Sequence, residues 1–169
     1  MKRLLLAVVA LLLIAFVARA LVRLFASDET KIRWALEEMR DGFNDTKLAP
    51  VVDRLHPMFR EEQSGADLDL VEQALISVYF SEIDATTKSF ALRVESDFDA
   101  WTVEVAEPDG DSPASARAAG DFAMFRRKGG QETLLWRARA ALELSVDDED
   151  GWQVLRASLD TLEGDRRLR

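Results

Sequence analysis

The chain offers few residue types for acid–base, nucleophilic or metal chemistry. Its 169 residues include one histidine, His56, and no cysteine. A thiolate nucleophile and a Cys-ligated zinc site are therefore excluded, and a Ser-His-Asp arrangement would have to use His56. His56 precedes Pro57, and the sequence holds no second histidine to complete a metal site. We therefore expect a capping or partly exposed imidazole with no metal role.

Carboxylates are numerous, and their densest groups lie in predicted turns, at residues 147–150 and 109–111. The first group lacks the full spacing of an EF-hand loop, so we expect solvated turns rather than cation sites. Asp121 lies in a predicted strand and is interpreted as a surface or strand-edge residue, with a pocket acid as the alternative. The sequence has no Gly-rich phosphate loop. It thus predicts no catalytic residue, no metal ligand and no cofactor.

The charge is distributed unevenly along the chain. Residues 1–26 hold four of the 22 basic residues and none of the 31 acidic ones, so residues 27–169 carry a net charge of −13. A body this acidic repels phosphates, and we expect no nucleic-acid partner. Its one basic run, Arg126-Arg127-Lys128, is interpreted as a solvated turn, with contact to lipid headgroups or an acidic partner as the alternative.

The N-terminal segment is predicted to meet a membrane. Lys2-Arg3 precedes a run of 15 apolar residues, which reaches about 22 Å as a helix and is short for a span. Extending it to residues 4–25 makes it long enough, with Arg19 and Arg23 at the headgroups. We expect a single-pass inner-membrane anchor over residues 1–26, with the acidic domain in the periplasm. Cleavage as a signal peptide after Ala20 or Ala26, with secretion to the periplasm, is the alternative.

Residues 27–169 are expected to form one domain, which begins with helices. Ser27 is a predicted N-cap, followed by apolar residues at helical spacing from Ile32 to Phe43. A second helix is predicted from Leu48 to Phe59, ended or bent by Pro57. Asp67 is predicted to cap a third helix.

The spacing of the apolar residues then changes from a helical period of about 3.6 residues to a period of 2, which is typical of strands. Alternation predicts strands over 90–95, 101–105, 116–127, 134–145 and 152–159, with a hairpin tip at Gly129-Gly130. The predicted fold class is therefore α+β, with three helices covering one face of a curved, antiparallel sheet of about five strands. One N-terminal hydrophobic helix is expected to precede this domain.

This order of elements resembles the nuclear transport factor 2-like superfamily, also called cystatin-like or SnoaL-like. The resemblance rests on a long first helix ending in RDGFND (residues 40–45), a short second helix and the final hairpins over residues 136–160. It implies a sheet curved into a cone, often with an apolar pocket, and frequent dimerisation through the outer sheet face. The superfamily includes isomerases, dehydratases, cyclases, adaptors and secretion-system subunits, so the fold does not choose a function.

The residues of the isomerases in that superfamily are incompletely matched. Their base follows the second helix, where this chain has Glu61 and Glu62 in a charged stretch that is interpreted as solvated surface. The isomerases place a tyrosine on the first helix, whereas the one tyrosine here is Tyr79, on the third. An enzymatic constellation is therefore not expected. If a pocket exists for an apolar small molecule, we expect it to be lined by Trp34, Phe59, Tyr79, Phe122 and Trp136.

The sequence matches the pattern of elements of this fold but only part of the catalytic residues. We therefore expect a membrane-tethered, extracytoplasmic binding or scaffolding domain without catalysis. We expect a homodimer or an envelope protein partner. The first alternative is a small lyase or isomerase acting on a hydrophobic substrate. The second is a subunit of an envelope secretion or assembly machine.

Overall fold

The structure is a computed structural model that describes residues 25–84, 87–106, 113–147 and 151–164. The predicted N-terminal hydrophobic helix, apart from its last residues, lies outside these ranges. So do most of the two acidic turns at 107–111 and 147–150. No helix within the described ranges is long and apolar enough to cross a bilayer.

The helical part of the domain begins as the sequence predicts. Helix α1 runs over Asp28–Asn44, and the Ser27 hydroxyl accepts a hydrogen bond from the backbone N–H of Thr30 at its start. A short helix α2 follows over Ala49–Val52. Helix α3 covers Leu68–Ser81, and the Asp67 carboxylate accepts from the backbone N–H of Leu70. The N-caps predicted at Ser27 and Asp67 are therefore confirmed. Asp45 and Thr46, the notional caps of the second helix, do not cap α2, whose N-cap position is Leu48.

The predicted second helix is wrong beyond Val52. Leu55–Glu61 forms a strand, β1, that pairs in parallel with the last strand of the sheet. Leu55 and Phe59 are four residues apart, a spacing that fits one face of a helix and also one face of a strand. Pro57 disfavours the helical alternative, and the register of β1 shifts between Leu55 and Arg60. The sheet is therefore mixed, not wholly antiparallel as predicted.

Five further strands complete a six-stranded sheet in the order β1-β6-β5-β4-β2, with β3 also paired to β4. They are β2 (Leu92–Glu95), β3 (Thr102–Ala106), β4 (Ser115–Lys128), β5 (Gln131–Asp147) and β6 (Gly151–Gly164). The β4–β5 hairpin turns at Gly129 and Gly130, which both have positive φ as a tight turn requires. An α+β fold with a mixed sheet of about six strands thus replaces the predicted sheet of about five.

The core lies between α1 and the inner face of the sheet. Ile32 on α1 is fully buried, and it packs with Leu36 against small and branched residues of the central strands. Several inward positions of β4 and β5 are small, including Ala116, Ala118, Ala138 and Ala140. Small side chains let the helix approach the sheet closely.

Trp101 fills the space over the one glycine in the middle of β4. Strands β2 and β3 pair with Ala123–Arg126 and Ser115–Ala119 of β4, which leaves residues 120–122 between them. The Trp101 indole lies directly over Gly120, where a Cβ atom would be 2.3 Å from the ring. Glycine at this position is therefore a requirement of close approach rather than of backbone conformation.

Candidate functional site

The described surface includes three concave regions that are candidates for a ligand site. The largest is an open groove of about 760 Å³ between the end of α1, β2 and β4. Its charged groups already have partners. Arg40 donates to Asp41 at 2.9 Å and to the Ser96 carbonyl, and Asp121 accepts from Arg139 at 2.9 Å. The groove is therefore polar and electrostatically balanced, which gives little basis for holding an apolar substrate.

The second and third regions are smaller. A groove of about 530 Å³ lies between β1 and the start of α3, with Met58 and Leu68 in its wall. A shallow groove of about 320 Å³ lies on the outer face of the sheet, along Ala119 and Ala141. Among the described residues, no group of three or more histidine, aspartate or glutamate side chains is placed to hold a metal ion.

The structure distributes the five predicted pocket residues over several sites. Phe122 and Trp136 touch edge to face, with ring centroids 5.1 Å apart, and the Trp136 indole donates to Thr161. Phe59 is buried in the main core cluster. Trp34 is half-buried on α1. A pocket formed by these residues stays a prediction.

Tyr79, the fifth predicted pocket residue, belongs to a separate aromatic cluster. Its ring lies 5.8 Å from that of Phe43 and 5.5 Å from that of Phe90. The hydroxyl oxygen is buried and has no hydrogen-bond partner among the described residues. A buried hydroxyl without a partner loses its bonds to water on folding and gains nothing in return.

Removing this hydroxyl is expected to leave the fold as stable or to stabilise it. Tyr79→Phe should raise the free energy of unfolding by up to about 1 kcal/mol at neutral pH, measured by urea denaturation. Ser77→Ala, on an exposed part of the same helix, is the matched control and should change stability by less than about 0.5 kcal/mol. A loss of more than about 1 kcal/mol in Tyr79→Phe would mean that the hydroxyl has a partner.

The same burial predicts a pH dependence. Desolvation raises the pKa of Tyr79 above its ordinary value of 10.0. The unfolded phenol therefore ionises first. This group leaves the free energy of unfolding independent of pH below about pH 10, and that free energy falls as the pH rises through the folded pKa. Because the chain has one tyrosine, tyrosinate absorbance reports this group alone. We expect that absorbance to rise together with alkaline unfolding; a rise at the ordinary pKa in the folded protein would contradict the buried hydroxyl.

The surface interpretation of Glu61 is wrong, whereas Glu62 is exposed as predicted. Glu61 is 4% exposed at the end of β1. Its Oε2 accepts hydrogen bonds from the backbone N–H of Ser64, at 2.7 Å, and from the Ser64 hydroxyl. The strand explains the error, because Phe59 and Glu61 share its buried face. The carboxylate organises the turn before α3, and Glu61 lines none of the three grooves described above.

His56 lies where the sequence places it. It is half-buried, and its Nδ1 accepts a hydrogen bond of 3.0 Å from the backbone N–H of Met58. The imidazole therefore supports the bend around Pro57. This contact is a capping arrangement of the expected kind.

The outer face of the sheet carries an ordered pattern of charge that spans β4, β5 and β6. The first charged row, read across the three strands, is Arg117, Glu143 and Arg156. The second charged row, four residues along each strand, is Asp121, Arg139 and Asp160. The small-residue row between them is Ala119, Ala141 and Ser158.

Each charged row alternates in sign and is held within the sheet by ion pairs. Glu143 lies 3.8 Å from Arg117 and 3.9 Å from Arg156. Arg139 lies 2.9 Å from Asp121, which raises the pKa of its guanidinium further above neutrality. The two rows have opposite signs on every strand. Sequence alternation indicates that Arg139 and Glu143 point outward, but it does not give the register that aligns them with β4 and β6.

Comparisons with known proteins bear on the fold. No protein-family model and no curated protein matches the chain. A nuclear transport factor 2-like protein with a cystatin-like fold from Novosphingobium aromaticivorans is 12% identical, with a TM-score of 0.56 over 88% of this chain and 90% of that one. A cystatin-like protein of unknown function from Nostoc punctiforme is 9% identical, with a TM-score of 0.56 over 80% of this chain and 92% of that one.

A third solved structure, Aln2 from a Streptomyces species, is 8% identical and has a TM-score of 0.62 over 78% of this chain and 88% of that one. Identities this low show a shared fold and nothing about activity. The predicted resemblance is therefore confirmed at the level of the fold. The chain has an α+β fold similar to cystatin-like and nuclear transport factor 2-like structures.

Proposed function

We propose that this protein is a non-catalytic, homodimeric binding or scaffolding domain, tethered to the inner membrane by residues 4–25 with its acidic domain in the periplasm. The observation that carries the proposal is the pair of charged rows on the outer sheet face. Single exposed ion pairs contribute little to stability. Six charges that alternate across three strands can instead select one partner and one orientation.

A twofold axis along the small-residue row makes this face complementary to itself. Such an axis reverses the strand direction but keeps each strand opposite its own copy. The first charged row of one copy then faces the second charged row of the other. Arg117 faces Asp121 of the second copy, Glu143 faces its Arg139, and Arg156 faces its Asp160. All three pairs join opposite charges, and symmetry repeats them on the other side of the axis.

An axis parallel to the strands gives the opposite result. It would place β4 over β6, so that Arg117 faces Arg156 of the second copy and Glu143 faces Glu143. These are like charges, which cost free energy when they are brought together. The charge pattern therefore favours the axis along the small-residue row over the parallel alternative.

The small-residue row also suits the centre of such an interface. Ala119, Ala141 and Ser158 have short side chains, so two sheets can approach to the separation of about 10 Å found between packed sheets. The flanking arginines and acids are long enough to reach across at either side. The interface then has a small, tight centre and a polar rim.

The enzymatic alternative depends on a carboxylate in an apolar cavity. Glu61 is the buried carboxylate of the described residues, and its Oε2 is already bound by Ser64. It lines none of the three grooves described above. Glu61 therefore supports a structural role, and the non-catalytic function fits the geometry best.

Cysteine cross-linking tests the proposed axis, because the chain has no native cysteine. Two copies of Ala141→Cys would lie opposite each other across the axis. We expect a short bismaleimide to join full-length Ala141→Cys chains into a covalent dimer. Ser77→Cys, on an exposed part of α3, is the matched control and should remain monomeric on a denaturing gel. Equal cross-linking of both variants, or of neither, would contradict the proposed interface.

A further inference from the structure

One corner of the molecule combines exposed apolar side chains with the basic run. Phe80, near the end of α3, is 81% exposed, and Ile83 is also exposed. Ile83 forms an isolated antiparallel bridge with Phe90. The backbone N–H of Ala91 donates to the Glu82 carbonyl at 2.7 Å, and that of Arg127 donates to the Ala91 carbonyl at 2.7 Å. Hydrogen bonds thus join the end of α3, the approach to β2 and the end of β4.

We name this region the basic corner and define it by Phe80, Ile83, Lys88, Arg127 and Lys128. Lys88 and Lys128 are exposed, and neither forms an ion pair with a described residue. Arg127 lies 3.8 Å from Glu132 and is largely exposed. The adjacent Arg126 is different, because it is half-buried and bound to Glu82 at 2.7 Å.

Counted with Arg126, the corner has four cations, and three acids lie beside them. Glu82 is bound to Arg126, and the Asp84 carboxylate accepts from the backbone N–H of Thr87. Glu132 is shared between Arg127 and Arg93. The corner is therefore locally positive on a domain whose net charge is −13. A negatively charged surface would therefore attract this corner and repel the rest of the domain.

We propose that the basic corner docks on an anionic lipid bilayer. Phe80 and Ile83 would enter the headgroup region, and Lys88, Arg127 and Lys128 would meet lipid phosphates. Exposed apolar side chains beside flexible cations suit a fluid surface that has no fixed shape. Ile76, one turn before Phe80 on α3, is exposed as well. Three apolar side chains are still too few for the apolar centre of a stable protein interface.

This inference rests on the proposed membrane tether, which would keep the corner beside the bilayer at high effective concentration. The proposed tether ends at residue 25, three residues before α1 begins at Asp28. Phe43, near the other end of α1, contacts Tyr79 beside the corner. The 17 residues of α1 are about 25 Å long. Attachment at both ends would lay α1 along the membrane plane.

The proposed dimer is compatible with this orientation. Helix α1 lies against the β2–β3 edge of the sheet, where Asn44 donates to the Val94 carbonyl and Arg33 to the Phe98 carbonyl. A twofold axis that runs across the strands leaves this edge on the same side in both copies. Two tethers and two basic corners would therefore reach one bilayer.

A fluorescent probe beside Phe80 tests the docking. Full-length Ser81→Cys, labelled with an environment-sensitive dye, is reconstituted into vesicles of phosphatidylcholine alone or mixed with phosphatidylglycerol. We expect a blue shift and quenching by nitroxide-labelled lipid in the anionic vesicles. Ala74→Cys, exposed two turns (about 10 Å) before Ser81 on α3, is the matched control and should be quenched less. Replacing Lys88 and Lys128 with glutamate should lower the quenching by about tenfold.

Flotation of the same samples separates the two proposals. If the chain floats with both kinds of vesicle but the probe stays in water in both, the docking is wrong and the tether stands. If the chain floats only with anionic vesicles, the tether is wrong and the docking stands. Shielding of the probe in detergent without lipid, by a second copy or another protein, would also overturn the docking.

Discussion

Replacing Gly120 with alanine is expected to destabilise the domain by about 2–3 kcal/mol. The new methyl group would lie 2.3 Å from the Trp101 ring, which is closer than two non-bonded carbon atoms approach each other. Either the indole or strand β4 must move. The backbone conformation of Gly120 is not the cause, since its φ is not among the positive values found at the turn glycines.

Movement of the indole is costly because two contacts fix it, one of which is anchored to β4. Trp101 Nε1 donates to the Ser96 hydroxyl at 2.9 Å, and that hydroxyl donates to the Asp121 carbonyl at 2.8 Å. The Trp101 ring also packs against Phe98, with centroids 5.2 Å apart. Displacing the ring would therefore disturb the link between the 3-10 turn Phe98–Ala100 and β4.

Urea denaturation measures the effect, and Trp101→Leu provides the control. The smaller side chain removes the clash, so the double variant should lose less stability than the two single losses combined. Strict additivity, or a Gly120→Ala variant as stable as the parent chain, would contradict the close approach.

Reversing one charge on the outer sheet face is expected to weaken dimerisation by about a hundredfold. In the proposed dimer Arg139 faces Glu143 of the second copy, and symmetry makes this contact twice. Arg139→Glu converts both contacts from attraction to repulsion, at about 1–2 kcal/mol each. Sedimentation equilibrium at several ionic strengths measures the change, which should diminish with added salt.

The complementary change provides a rescue. Glu143→Arg alone should weaken dimerisation by a similar factor. Mixing the two variants should restore it, because in each heterodimer the two substituted side chains face each other with opposite charges, and so do the unchanged Glu143 and Arg139. Arg139→Glu also loses its bond to Asp121, so thermal unfolding of each monomer is measured as a control. Failure of the mixture to form heterodimers would contradict the proposed axis.

The sequence predicted most elements of the fold because their signals are local. Ser27 and Asp67 precede helical apolar spacing, and both cap helices in the structure. Alternation predicted β5, and Gly129-Gly130 predicted its hairpin. The segment from Leu55 to Phe59 failed because its spacing fits two conformations. Parallel pairing with β6, a contact about 100 residues away in the chain, decided between them.

The candidate site depends on information that no single segment carries. Glu61 was misassigned together with its strand, since a buried face exists only once β1 pairs with β6. The charged rows need the registers of two hairpins, in which Arg117 meets Glu143 and Glu143 meets Arg156. The register shifts at 137–138 and 143–144 set which residue of β6 completes each row. These irregularities have no signature in the sequence.

Native mass spectrometry of the full-length protein, released from detergent at low ionic strength, tests the proposed dimer. We expect a particle of twice the 19.0 kDa of one chain, which dissociates in the Arg139→Glu variant and reappears when that variant is mixed with Glu143→Arg. A parent protein that remains a single chain of 19.0 kDa at all concentrations would rule the dimer out.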